Sequence, residues 1–282
     1  MRPHFFSQSL LLILATLMYS CGEDRVYKKV DLSTNSEALA LALTDYLIPV
    51  ELEGQEKVRI GRNKDGGYVM IKDDQIDKLY SYGISHDIGF EVDFVNHWPV
   101  KSYLYDHTID GLPEHDKQNL LFWKKEGIAA TKTVNLNSLT SHIEENGDKN
   151  NQNLMLKMDV EGAEWLSLLA TKDEVLLQFK QIVIEIHGLT ITHQLYSEKL
   201  AVLKKLHELF YVVHIHGNNL GAVYENDAYL IPNVMEITYL RKDANIKTSQ
   251  LTQTYPIQNL DYSNRFQGSD IQFNKPPFAP VQ

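Results

Sequence analysis

The chain has 282 residues, 43% hydrophobic and 23% charged, the balance of an ordinary globular protein long enough to bury a substantial core. Its formal net charge of −10 leaves no basic surplus to neutralise phosphates, which argues against a nucleic-acid binder. A sugar, a small molecule or a protein is the expected substrate.

Near the amino terminus, Arg2 and His4 precede an apolar run from Leu10 to Met18 that stops at Tyr19-Ser20-Cys21-Gly22. This is the plan of a secretory signal, and the run is short for a membrane span of roughly 20 residues. Cys21 is the only cysteine in the chain and follows the run after a small residue. The arrangement resembles a bacterial lipoprotein signal, although Tyr19 is unusual there; an uncleaved signal-anchor is the alternative. On either reading residues 1–21 are a signal peptide or signal-anchor. The protein is then exported, and either anchored in a membrane by its amino terminus or secreted. A single cysteine allows no internal disulfide. No Asn-X-Ser/Thr acceptor occurs, which slightly favours a bacterial envelope.

Residues 22–56 are expected to form a helical lead. A helix is predicted from Asp31 to Tyr46, capped by Ser33 or Asn35 and stopped by Pro49. Two strand-like runs, starting at Val58 and ending at Ile71, flank Asn63-Lys64-Asp65-Gly66-Gly67, which predicts a hairpin. Arg59 and Arg62 beside its turn could reach a carboxylate ligand. Next, the run from Lys78 to Ile84 reads as a strand ending on Tyr82-Gly83-Ile84, followed by a helix from Phe90 to Val95. Glycine lets backbone approach a ligand and a helix start offers unpaired N–H groups, so this corner has the plan of a nucleotide site. Its spacing is not G-x-G-x-x-G. The segment from Lys101 to Thr108 is a second strand ending in Asp106. An acid roughly 20 residues beyond such glycines is where a ribose diol is held; a plain loop acid is the alternative.

A third strand is predicted between Gly127 and Val134, and a helix from Leu136 to Ile143. The run from Leu154 to Met158 reads as a buried strand leading straight into Asp159-Val160-Glu161-Gly162-Ala163-Glu164-Trp165. Carboxylates at the end of such a strand sit where α/β sheets bind ligands. Equally, Asp159 could cap the following helix, Ala163 to Leu169, while Glu161 and Glu164 favour its positive end. Another buried strand, Gln181 to Gly188, ends in Glu185 and His187. Ser197 is expected to cap a helix presenting Leu200, Leu203, Leu206 and Phe210 on one side. It runs into a strand from Tyr211 to Asn219 that carries His216. Strands from Ala228 to Ile231 and from Val234 to Arg241 are predicted to close the sheet antiparallel. The tail, 246–282, is rich in polar residues and proline and reads as irregular and surface-lying, with Tyr255, Pro256 and Leu260-Asp261-Tyr262 expected to pack back onto the body.

The run Leu156-Lys157-Met158-Asp159-Val160-Glu161-Gly162-Ala163-Glu164 resembles the signature of the FkbM-type methyltransferases, within the class I S-adenosylmethionine-dependent enzymes. Asp65-Gly66-Gly67-Tyr68, Tyr82-Gly83-Ile84 with Phe90-Glu91, His216-Gly217-Asn218-Asn219 and Glu236-Ile237-Thr238-Tyr239 resemble a methyltransferase-like branch with an N-terminal signal or anchor. The likeness spans about residues 57 to 265. It implies an α/β, Rossmann-like domain over 57–245, with a mostly parallel sheet, a C-terminal antiparallel hairpin and an N-terminal β-hairpin extension. It also implies S-adenosylmethionine bound among Tyr82, Gly83, Ile84, Glu91 and Asp106, with Asp106 on the ribose and Asp159 beside the methyl group. One departure stands out: Ser81 occupies the place of the acid that opens the family's cofactor loop, and Gly83 and Gly89 are farther apart than that loop's glycines.

Methyl transfer needs positioning and the removal of an acceptor proton. Asp159, His187 or His216 could be the base. Alternatively Asp159, Glu185, His187 and His216 converge on a divalent metal that lowers a hydroxyl's pKa, or the histidines are structural. The leading expectation is an O-methyltransferase acting on a hydroxyl of a small molecule, a saccharide or an envelope glycan. A catalytically inactive methyltransferase-fold binding protein on the cell envelope is the alternative, motivated by Ser81 and the export signal. A metal-dependent hydrolase ranks third.

Overall fold

The computed structural model describes residues 27–265 and 268–280, so the expected signal over residues 1–21 lies outside the described part. Among the described residues no helix is long and apolar enough to cross a membrane.

Seven strands make the central sheet. In chain order they are β1 (Lys78–Tyr82), β2 (Lys101–Tyr105), β3 (Leu121–Lys124), β4 (Leu154–Asp159), β5 (Phe179–His187), β6 (Phe210–Gly217) and β7 (Val234–Arg241). They stand in the order β3-β2-β1-β4-β5-β7-β6. Neighbours from β3 to β5 run parallel, whereas β7 is antiparallel to both β5 and β6. The direction of winding reverses between β1 and β4, the place where an open α/β sheet leaves a crevice outside its carboxyl ends.

Side-chain alternation sorts the strands into two layers. Tyr80, Tyr82, Leu156, Met158, Ile182 and Ile184 enter the larger core. There they meet Ala40 and Leu43 of the Thr34–Thr44 helix, Trp165 and Leu168 of Glu164–Ala170, and Leu203 and Leu206 of Tyr196–Leu209. Leu79, Leu104, Met155 and Val183 enter the second core with Phe90 and Phe94 of the Gly89–His97 helix. On this second face the far ends of β4, β5 and β7 carry polar residues, and a two-stranded hairpin, Lys57–Ile60 with Tyr68–Ile71, covers them. Gln181 exchanges two hydrogen bonds with the Ile71 backbone, at 2.9 and 2.7 Å, and the Thr238 hydroxyl donates to the Val69 carbonyl. Burial without partners would cost those side chains about 1–3 kcal/mol each.

Several expectations need correction. The third strand of the sheet is Leu121–Lys124; Gly127–Ile128 pairs only with Leu136–Asn137 in a two-residue ladder. The edge strand escaped notice because only Leu121 in it is buried, leaving a weak apolar signal. Leu230–Pro232 does not close the central sheet either. It pairs with Ala222–Glu225, which in turn pairs with Lys28–Val30, in a separate small sheet. Ser33 caps the first helix, accepting from the Ser36 N–H, but Ser197 caps nothing: the residue preceding Tyr196–Leu209 is Leu195, in a left-handed conformation. The tail is irregular yet not superficial, since Ile271, Phe273 and Phe278 are at most 1% exposed and belong to the larger core.

Candidate active site

At the carboxyl ends of β1, β2 and β4 lies a crevice of about 440 Å³, lined among others by Tyr82, Gly83, Ser85, Asp106, Thr108 and Asp159. Register puts the three strand ends level: Met158 stands beside Tyr82, and Tyr82 beside Tyr105. A larger opening, bounded by Lys72, Asp73, Lys180 and Arg241, lies at the opposite end of the strands, away from the carboxylates of Asp106 and Asp159.

Gly83 is required where it stands. Its φ is +73°, and a Cβ there would lie 1.5 Å from the Asp159 carbonyl oxygen. Only glycine lets the chain turn away from β1 against β4 at this distance. The Gly83 carbonyl accepts from Lys157 Nζ at 2.9 Å, so the lysine of the signature pins the cofactor-loop backbone from beneath. Tyr82 and Tyr105 stack at 4.9 Å below the crevice, and the Tyr82 hydroxyl is paired with His142 Nδ1 at 3.0 Å.

Asp106 is held by its own loop. One oxygen accepts from the Ser85 N–H at 2.8 Å; the other accepts from the N–H and hydroxyl of Thr108 at 2.7 and 2.6 Å. Burial works to raise its pKa, but the Thr108 and Ser85 hydrogen bonds outweigh that and lower it. The carboxylate is therefore ionised and oriented, as an acceptor of hydroxyl protons must be. Two other residues expected around the cofactor are not on the lining. Ile84 is packed in the second core. Glu91 is fully buried beneath the loop, accepting from the Ser81 hydroxyl at 2.5 Å, and its burial raises its pKa. Ser81, standing where an acid was expected, thus borrows one from the Gly89–His97 helix.

Asp159 does not cap a helix: the residue preceding Glu164–Ala170 is Ala163, and no side chain caps that helix. One Asp159 oxygen accepts from the Tyr68 hydroxyl at 2.9 Å. Tyr68 reads in the sequence as part of a hairpin strand and of a family-like segment; its place over Asp159 needed the fold of the hairpin. Arg59 and Arg62 are not on the lining of this crevice; Arg59 is spent on the carbonyls of Arg62, Lys64 and Leu260, and Arg62 pairs with Asp87.

From Asp159 a row runs across the sheet in register: Asp159, Glu185, Glu236, His216. Like charges opposite one another are destabilising, and each member has a partner. Glu185 accepts from Asn218 at 3.2 Å and contacts His187 Nε2 at 3.2 Å. Glu236 accepts from Asn264 at 2.6 Å. His216 is 1% exposed, with Nδ1 3.0 Å from Glu236 and Nε2 2.9 Å from Asp270 of the tail. Burial opposes its charge, but Glu236 and Asp270 raise its pKa well above the usual value. Burial likewise opposes charge on His187, yet Glu164 and Glu185 push it up to about 10. Neither histidine is on the lining of the crevice. His216 is also outside the described groups whose ligand atoms converge.

The methyltransferase FkbM domain model matches residues 52–244, more than half of the chain. A comparison with curated proteins finds no match. Among solved structures, the fibrillarin/Nop5p complex is 12% identical, covering 61% of this chain and 76% of that one, with a TM-score of 0.36. A candidate hemolysin from Streptococcus thermophilus is also 12% identical, covering 64% and 72%, with a TM-score of 0.37. At such scores neither carries weight here. The family model and the α/β sheet lead to one conclusion: this chain belongs to the methyltransferase FkbM family.

Proposed function

We propose that the protein transfers a methyl group from S-adenosylmethionine to a hydroxyl of a small-molecule or glycan acceptor. The observation that carries this reading is the shared crevice, where Gly83, Asp106 and Asp159 meet at the ends of adjacent parallel strands. The residues present fit the cofactor. Gly83 keeps the floor free of a side chain, and Asp106 offers an ionised acceptor for a ribose diol. When bound, the sulfonium supplies an electrophilic methyl group; the C–O bond forms as the C–S bond breaks, and the electron pair stays on sulfur.

The chain's own work is positioning and proton removal. Of the three predicted bases, Asp159 is the one on the lining of the crevice. Asp159 lines the crevice while Tyr68 holds one of its oxygens, which leaves the other to take the acceptor's proton. The reading of residues 1–21 as an export signal supports an envelope location, where a glycan would be an available acceptor.

Isothermal titration of the purified chain with S-adenosylmethionine and S-adenosylhomocysteine tests the reading. Saturable binding of both is expected, together with methyl transfer from labelled cofactor to an envelope saccharide fraction. No heat with either compound overturns it in favour of a catalytically inactive binding protein. Membrane fractionation tests the localisation, and a cytosolic product overturns that part alone.

A further inference from the structure

We propose that Asp159, Glu161 and His187 bind a divalent cation of the Mn²⁺/Zn²⁺ class at the rim of the crevice. One ligand atom from each lies within 4.8 Å of the others, a spacing that small side-chain adjustments bring onto a single ion.

His187 is oriented as a metal-bound imidazole is. Its Nδ1 lies 3.3 Å from Glu164 Oε1, a fully buried carboxylate that also accepts the His187 backbone N–H at 2.8 Å. The other Glu164 oxygen accepts the Gly162 N–H at 2.8 Å, and Trp165 Nε1 donates to the His187 carbonyl at 2.8 Å. The ring is thereby fixed from behind, its Nδ1 proton is spent on a carboxylate, and Nε2 faces Glu185 and Glu161, where an entering cation displaces its proton. A buried carboxylate behind the imidazole is the common support of a metal ligand.

Around Nε2 stand Glu185 at 3.2 Å and Glu161 at 3.5 Å, with Asp159 beside them. Among the described residues no lysine or arginine pairs with any of these three carboxylates. One imidazole therefore faces three acids, a surplus of negative charge that a divalent cation balances. One nitrogen with carboxylate oxygens suits a borderline transition metal better than calcium. Access is open, since the Glu161 side chain is 87% exposed and both Asp159 and Glu161 line the crevice. The neighbouring trio Asp65, Glu185 and Glu236 is a weaker candidate, because Asn218, Asn264 and His216 already occupy it.

The function of the ion rests on the methyl-transfer reading: with Asp159 as its ligand, the ion replaces that carboxylate's direct action as base, holding the acceptor oxygen and lowering the pKa of its hydroxyl so that the proton passes to solvent. The site itself does not depend on that reading. To test it, the full chain is stripped with EDTA and titrated with manganese(II) chloride, following the loss of the free-ion paramagnetic resonance signal, and with zinc chloride by calorimetry. One ion per chain is expected. Glu161→Gln, an exposed change that spares the fold, weakens binding at least about tenfold, as does His187→Gln, whereas the distant control Glu56→Gln leaves it unchanged. Absence of stoichiometric binding, or binding unaltered in both variants, overturns the site and leaves His187 as an imidazolium within an ion-pair network. The same samples are titrated with S-adenosylhomocysteine. Cofactor-product binding without metal binding overturns only the metal site; metal binding without cofactor-product binding upholds the site and overturns its part in methyl transfer.

Discussion

On one side of Asp159 the strand ends of β1 and β2 stop at an open crevice; on the other, those of β5, β7 and β6 run into a filled block of carboxylates, imidazoles and amides. The open half is made by a glycine without a side chain and an aspartate tied to its own loop. The filled half is made by partners brought from far along the chain: Tyr68 from the hairpin, and Asp261, Asn264 and Asp270 from the tail. Both halves use polar residues at strand ends. The difference teaches that a carboxylate there faces a ligand where its partners come from its own loop and leave the space beside it empty, and is closed off where they come from segments folded over it.

That comparison can be broken most severely at His216. Replacing it with alanine leaves Glu236 and Asp270 buried without their cation, at a cost of about 3–5 kcal/mol. Urea denaturation should register that loss, and hydrogen exchange over residues 261–273 should accelerate. A cost under about 1 kcal/mol would mean that the block is not a brace. Gly83→Ala attacks the open half, where the added methyl meets backbone rather than a flexible side chain. A stability loss of about 1–3 kcal/mol is expected, with S-adenosylhomocysteine binding abolished in calorimetry; retained affinity would show that the loop does not approach the ligand.

Asp106→Asn sharpens the contrast further. It keeps the shape while removing a charged acceptor worth about 1.5–3 kcal/mol. S-adenosylhomocysteine affinity should fall by about tenfold or more, a larger change than the stability lost with the Ser85 and Thr108 bonds. Equal losses in both would assign Asp106 to the loop rather than to the ligand.

The smallest effect lies outside both halves. Hydrogen bonds from Lys29, then Lys275 and Tyr27, hold Glu225 down to about 2, although burial works the other way. A depressed folded pKa stabilises above the unfolded value near 4.5, and that contribution is lost as the pH falls through about 2. Between those limits the ends of the described chain should loosen from the small sheet, seen as faster exchange around Tyr27 to Val30. Glu225→Gln should flatten this acid dependence without touching the crevice.

Much of the open half was legible in the sequence. Tyr82-Gly83, Asp106 and Asp159 each close a strand, and a turn or strand end depends on residues a few positions away. Ile84 and Glu91 lie in the same stretch but turn out to pack inward, because strand and helix phase, not proximity in sequence, decides which side chains reach the crevice. The filled half was scarcely legible. His216 and Asp270 are 54 positions apart, Tyr68 and Asp159 91, and neither pairing leaves a local pattern. Lys157 was visible as a letter of the signature, yet its bond to the Gly83 carbonyl emerged only when β1 and β4 became neighbours.

By itself the sequence determined the alternation of strands and helices, the family signature and the strand ends that carry acids, since hydrophobic period and turn chemistry act over a few residues. Tertiary structure alone decided which of those acids stand open and which are matched. That choice depends on the hairpin and tail folding over one face of the sheet, where burial makes every polar group find a partner or leave room for a ligand.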